Sequence, residues 1–300
     1  MTLRLAVIVP FLNEEQHLGA LLDSMERQQR PPDRLVLVDD GSSDRSPEMA
    51  AAFAREHPYA TLLRRPRRPP ERDRMVRAHE LRAFEWALAL TPDWDVAAKL
   101  DADLDLSPDL FAEIERRFEA DPRLGMAGAY LSALDAQGRP ERQRCPPDHV
   151  EGENTFYRRE CFEAISPLPP ILGWDTIDEA RARMRGWRTA SFEMPAGDPI
   201  HLRRMGSHDG VLRGSRRAGL AAWAYGAHPM HVLGGAVVRM GDPPRLLCGV
   251  HYVAGWVLAA ARRVPRAEPE LRRFVREENL RSLRGRLRAW GRGATPDAGS

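Results

Sequence analysis

The sequence predicts an α/β fold, a mostly parallel sheet flanked by helices, followed by a helical extension. Three observations predict it. Two strand–loop–helix units stand in tandem at the start, the pattern of a doubly wound parallel sheet. A further apolar run, Val96 to Leu100, ends in two aspartates one residue apart. From about Arg213 the texture changes to Ala-, Gly- and aromatic-rich stretches flanked by arginine clusters. The expected division is therefore a domain over 1–212 and a helical extension over 213–300.

The elements follow in order. Leu3 to Val9 is a near-continuous apolar run, as a buried parallel strand should be, and Pro10 is expected to stop it. Asn13-Glu14-Glu15 falls in the polar loop after it. Leu18, Leu21, Leu22 and Met25 have the i, i+3, i+4, i+7 spacing of a helix. Leu35 to Val38 is a second strand, ending in Asp39-Asp40-Gly41-Ser42-Ser43-Asp44. Ser43 or Ser46 is suited to cap the next helix, with Pro47 in its first turn. Leu62-Leu63 is a weak third strand, and the Arg- and Pro-rich run Arg64 to Arg74 reads as a surface loop. Val76 to Leu90 is helical, and the Val96 strand follows it. Pro108 to Phe118 is a helix and Leu124 to Leu131 a strand. Trp174 to Met184 is a helix closed by Gly186, and Trp187 to Phe192 a strand. Arg262 to Trp290 is an Arg-rich amphipathic helix or pair of helices, which either packs on the core or lies in a membrane interface.

Bulk properties exclude several classes. A net charge of +2 makes no demand for nucleic acid. Cys145, Cys161 and Cys248 form no Cys-x-x-Cys, so neither a zinc site nor a disulfide framework is expected, and a reducing, cytoplasmic setting fits. No run of 18 apolar residues predicts a spanning helix, and no secretory signal pattern opens the chain. Lys99 is the only lysine among 45 basic residues.

Asp101 and Asp103 emerge where a strand should leave the carboxyl edge of the sheet, the edge at which open α/β sheets bind ligands. If the chain stays extended the two carboxylates point the same way, and hard oxygen ligands suit Mg²⁺ or Mn²⁺. An ion there would bind a substrate diphosphate.

Four stretches in order carry a resemblance: Val9-Pro-Phe-Leu-Asn-Glu14, Val38-Asp-Asp-Gly-Ser-Ser-Asp44, Leu100-Asp-Ala-Asp103, and Gly173-Trp-Asp175 before a helix. Over roughly residues 3 to 207 the chain resembles the family 2 glycosyltransferases, inverting enzymes with a Rossmann-like GT-A fold. The resemblance implies a nucleotide-sugar donor, a divalent ion and a carbohydrate or lipid-linked acceptor. Pro10, Asn13, Glu14 and Asp40 would hold the nucleotide, and Asp101 would touch its ribose. Arg77, with Arg74 as the alternative, would meet the diphosphate. Asp103 and His201 would hold the metal, and Asp175 would serve as general base. The family often has Glu-Asp where this chain has Trp174-Asp175. Asp178 and Glu179, one turn on, remain alternatives for the base, although they read as a solvated helix face. Gly152 and Arg158-Arg159 resemble the acceptor-side loop.

The chain carries no Gln-x-x-Arg-Trp of the processive synthases, so one sugar per encounter is expected. A haloacid-dehalogenase phosphatase would want its Asp-x-Asp near the chain start and a later lysine. A sugar nucleotidyltransferase would want a Gly-rich loop after the first strand. A catalytically degenerate sugar-nucleotide-binding or scaffold protein is the non-enzymatic alternative. The expected location is cytoplasmic, with peripheral contact at the inner face of the membrane through the C-terminal helices.

Overall fold

The computed structural model describes residues 3–67, 78–135, 137–143, 145–203 and 210–291, with side chains as far as residue 285. The chain separates into two compact units. The first holds residues 1–74, 79–167 and 185–204; the second holds 75–78, 168–184 and 205–300. The segment bearing Asp175 thus groups with the helical C-terminal part.

The core of the first unit is a seven-stranded mixed sheet. It contains β1 (Leu5–Phe11), β2 (Arg34–Asp39), β3 (Ala60–Arg64), β4 (Val96–Leu100), β6 (Leu124–Ala129), β9 (Asn154–Arg158) and β10 (Arg188–Phe192), in the order β10-β6-β9-β4-β1-β2-β3. β1 lies between β2 and β4 and pairs parallel with both. Its near-continuous apolar run is explained by that position, since helices cover both faces of such a strand. β9 is antiparallel to β4 and β6. Asn154 locks this insertion: fully buried, it accepts from Ala129 N at 2.6 Å and donates to Ala129 O at 3.1 Å.

The flanking helices are α1 (Leu18–Glu26), α2 (Ser46–Glu56), α3 (His79–Ala89), α4 (Leu110–Ala120) and α5 (Arg159–Ile165). Two local expectations fail. Pro10 does not stop β1, which runs to Phe11. β4 pairs with β1 only as far as Ile8, so beyond that point a residue without an N–H breaks no bond on that side. Neither Ser43 nor Ser46 caps α2; Ser46 is its first residue, and Arg45 precedes it without a side-chain cap.

A second, four-stranded sheet joins β5 (Leu104–Asp105), β11 (Ile200–His201), β7 (Ser132–Leu134) and β8 (Pro140–Arg142) in that order. These strands are only two or three residues long.

The second unit is built from α6 (Trp174–Met184), α7 (Val211–Tyr225), α8 (Pro229–Arg239), α9 (Leu247–Ala261) and α10 (Pro269–Gly291). α7 and α9 approach closely because glycines face the partner backbone. A Cβ on Gly219 would lie 1.9 Å from Tyr252 O, and one on Gly255 2.0 Å from Arg216 O. α10 packs Leu271 and Val275 against Ile177 and Ala180 of α6. Arg181–Glu268 at 2.7 Å and Arg183–Glu278 at 3.0 Å tie the same helices. Part of the Arg-rich C-terminal helix is therefore a packed element. Among the described residues no helix is long and apolar enough to cross a membrane.

Candidate active site

The chain leaves β1 for β2 and β3 on one side and returns to β4 on the other. The carboxyl ends of β1 and β4 therefore flank the point where strand order reverses, which opens a crevice. The loops after β1, β2 and β4 converge there.

The first two loops are tied to each other. Asn13 N donates to Ser42 Oγ at 3.0 Å, and Ser43 N donates to Asn13 Oδ1 at 2.8 Å. Glu14 N donates to Ser46 Oγ at 2.8 Å, and Arg45 N to Glu15 Oε2 at 3.0 Å. Ser46 thus joins the loops, which is why it does not serve as a cap. Buried Asp39 accepts from Gly41 N and Ser42 N, shaping the turn after β2. Asp40, also buried, pairs with Arg65 at 2.8 Å. Pro10 sits opposite Val38 at the end of the β1–β2 ladder.

After Leu100 the chain turns at Ala102 and Asp103 instead of staying extended. The two aspartates consequently take different partners. Asp101 receives a hydrogen bond from Lys99 Nζ, and its own N–H donates to Glu153 O at 2.9 Å. Asp103 lies 3.1 Å from His201 Nε2 and 3.6 Å from Arg203 Nε. The small sheet makes this second meeting: Leu104 pairs with His201 across β5–β11, and Leu202 N donates to Asp103 O at 2.9 Å. Arg203 also reaches Glu14 at 2.5 Å, and Glu14 lies 3.3 Å from His17. One cluster thereby links the β1 loop, the β4 turn and β11.

The electrostatics are those of a paired site. Burial works against the Asp103 charge, but His201 and Arg203 outweigh it and hold its carboxyl below the ordinary value. Burial likewise opposes charge on His201, and Asp103 more than compensates, holding its pKa above the usual histidine range. Burial also works against Lys99, yet Asp101, Glu80 and Glu153 keep it charged and raise its pKa. Asp101 is pushed up, first by desolvation and then by Glu80, Glu153 and Asp103, while Lys99 pulls it down. Its side chain keeps 30% exposure, and the Lys99 partner moderates the upward push. Burial beside Glu153 pushes Glu151 up to about 7.

Asp103 supplies hard oxygens of the kind a divalent ion takes, and His201 lies beside it through Nε2 at 3.1 Å, while Nδ1 on the other side of the ring is buried with no hydrogen-bond partner among the described residues. Those residues contain no cluster of three or more His, Cys, Asp or Glu groups that could hold a metal. Two protein ligands suffice for an ion that takes its remaining oxygens from water and substrate phosphates.

Asp175 lies in the second unit, in the first turn of α6, half-exposed. Its Oδ1 accepts from Thr176 N at 3.0 Å. It adds to the upward push that burial places on the Tyr225 hydroxyl of the same unit. Asp178 and Glu179 are buried, which corrects the expectation of a solvated face. Glu179 is tolerated there because Arg183 pairs with it at 2.6 Å. Arg158 and Arg159 serve the backbone: Arg158 donates to Leu124 O and Phe118 O, and Arg159 donates to Trp94 O while stacking on that ring at 4.1 Å. Arg74, Arg77 and most of the Arg- and Pro-rich loop lie outside the described residues.

Lys99 and Arg203 were missed as site residues. Lys99 is 2% exposed inside β4, and its Nζ also donates to Gly152 O at 2.9 Å, joining Asp101 to the loop before β9. Its signal was a lone lysine in an otherwise apolar strand. The signal for Arg203 was its position two residues beyond His201.

Residues 6–78 match the family described as Glycosyl transferase family 2. Over 120 residues the chain is 35% identical to the undecaprenyl-phosphate 4-deoxy-4-formamido-L-arabinose transferase of Pectobacterium carotovorum, covering 38% of this chain. It spans only 32% of that relative. A mannosyltransferase of Pyrobaculum calidifontis, in complex with GDP-Man and Mn²⁺, superposes with a TM-score of 0.57 at 20% identity, over 97% of this chain and 83% of the other. GalNAc-T7 with UDP, GalNAc and Mn²⁺ gives 0.57 at 13% identity, over 87% and 55%. S. aureus TarS 1-349 with UDP-GlcNAc gives 0.53 at 14% identity, over 85% and 71%. At such identities the structures speak for the fold. The sequence match and the sheet agree in kind: residues 6–78 are similar to the family 2 glycosyltransferases, and the fold is the GT-A fold.

Proposed function

We propose that the chain is an inverting, non-processive glycosyltransferase that uses Mg²⁺ or Mn²⁺. It moves a sugar from a nucleotide-sugar to an oxygen of a polysaccharide, glycolipid or cell-envelope precursor. The observation that carries this reading is the Glu14–Arg203–Asp103–His201 cluster at the switch point of the sheet. It offers an anionic metal ligand and a guanidinium where a nucleotide diphosphate would lie. The name of the Pectobacterium relative contains a lipid phosphate, which favours a lipid-linked acceptor.

Pro10, Asn13, Glu14 and Asp40 frame the pocket for the base, and Asp101, steadied by Lys99, meets the ribose. The resemblance assigns Arg77, outside the described residues, to the diphosphate. Asp103 and His201 would hold a divalent ion, which when bound would neutralise charge on the departing diphosphate. Asp175 takes the proton from the acceptor as its oxygen bonds to the anomeric carbon. The bond from that carbon to the phosphate oxygen breaks on the opposite face, which inverts the centre. The reaction runs on the cytoplasmic side.

A thermal-shift screen of UDP-, GDP- and dTDP-sugars with and without Mn²⁺ tests the reading. One base class should raise the melting temperature only with metal, since a donor at 100 times its Kd adds about 2.7 kcal/mol. A slow donor hydrolysis should share that preference. No shift and no hydrolysis with any donor would leave a degenerate binding or scaffold protein.

A further inference from the structure

We infer that the α8–α9 hairpin of the second unit is a docking surface for an anionic lipid monolayer. α8 turns Pro229, Met230, Leu233, Gly234, Val237 and Val238 to solvent, and no charged side chain is among its exposed residues. Met230 and Leu233 are each 59% exposed, Val237 67% and Val238 66%. Their spacing puts them on one helical stripe. The opposite stripe is buried: Val232 and Ala236 pack with Tyr252 of α9.

α9 repeats the arrangement. It carries no acidic or basic residue apart from His251, and it exposes Leu247, Val250, Val257 and Leu258. Leu246, in the connection between the two helices, is 64% exposed. The two helices pack on each other, so these residues belong to one structural element. An exposed apolar surface rimmed by polar residues marks a site of protein or membrane contact.

The charge around it selects the occupant. Between residues 210 and 267 the chain has eight arginines and one acidic residue, Asp242. Arg245 stands in the connection between the helices and Arg262 and Arg263 follow the end of α9, while Arg239, the last residue of α8, lies over the Tyr252 ring at 4.3 Å. A second copy of this chain in a two-fold contact would set the same arginines against each other. Anionic headgroups complement them, while the apolar stripe enters the headgroup–acyl boundary. Among the described residues no helix is long and apolar enough to cross a membrane, and the contact proposed is a peripheral one.

The surface is independent of the donor site, and so is its test. The full chain is floated with vesicles of phosphatidylcholine alone and of phosphatidylcholine with 30 mol % phosphatidylglycerol. Wild type should float with the anionic vesicles, poorly with the neutral ones, and lose binding as salt rises. Val237→Glu, an exposed position, should lower partitioning about tenfold, because it puts a charge where an apolar group enters the lipid. Arg262→Gln should lower it about fivefold on anionic vesicles only. Equal flotation of wild type on both vesicles, none on either, or Val237→Glu floating like wild type would overturn the proposal. So would a dimer, seen by sedimentation, that Val237→Glu converts to monomer, because it would assign the stripe to a second copy.

Discussion

The two units use the same apolar residues in opposite ways. Val7 and Val9 of β1 are fully buried, whereas Val237 and Val238 of α8 are two-thirds exposed. In the first unit apolar side chains fill the sheet core, and charged groups gather in pairs at one edge. In the second, helix faces turn valine and leucine outward, and residues 210–267 carry eight arginines against one acidic residue. Apolar content by itself therefore does not report burial. What separates the units is which apolar faces another element of the same unit covers.

Five substitutions and one change of pH test that contrast. Asp175→Asn should reduce transfer roughly 10²–10⁴-fold with donor affinity unchanged, as loss of a general base does. Single-turnover transfer beside a donor titration measures it, and near-wild-type transfer would move the role to another group. Next come two apolar truncations. Phe111→Ala in the first-unit core, where the ring meets Phe156 edge-on at 6.1 Å, should destabilise by about 3–5 kcal/mol. Val238→Ser should change stability by no more than about 0.5 kcal/mol. Equal losses in urea denaturation would erase the distinction between the units.

Asp103→Asn should weaken Mn²⁺-dependent donor binding by more than the roughly 10–100-fold that outer-shell partners of a metal cost. Calorimetry with donor and Mn²⁺ reads this directly, and unchanged affinity would reject Asp103 as a ligand. The smallest effect is acidic. The hydrogen bond from Arg4 holds Asp95 low, and that from Arg116 holds Glu113 low. A depressed carboxylate adds stability above its unfolded pKa and loses it as pH falls through its folded pKa. Asp44, Asp95, Asp103, Glu113 and Asp121, all held low in this way, belong to the first unit. Acid should therefore loosen the sheet before the helices, and Arg4→Ala should blunt the response slightly, because Asp95 is partly exposed. Limited proteolysis across pH 3–6 locates the first cuts; cuts confined to the helices would contradict this.

Much of the sheet was legible. Buried parallel strands leave continuous apolar runs, and β1, β2 and β4 each end in the polar residues that line the crevice. The meeting of Asp103 with His201 was only half legible. The residue types were suggestive, but they lie 98 positions apart and are joined by two-residue strands, too short for any periodicity to register. The turn at Ala102 was hidden as well, because an Asp-x-Asp reads as extended until the backbone is seen. Asp178 and Glu179 looked solvated because the compensating Arg183 and its tie to Glu278 depend on how α10 folds back on α6. The grouping of Asp175 with the helices left no mark in local composition.

Lys99 has one further consequence. It is the only lysine, and it is enclosed within β4 and engaged with Asp101 and Gly152. The folded chain thus presents no side-chain amine to its surroundings. Amine-directed acylating reagents, bifunctional cross-linkers and coupling resins will find only the α-amino group, and capture should be uniform in orientation. The same reagents become a sensor of unfolding: acylation at Lys99 reports that the sheet edge has opened.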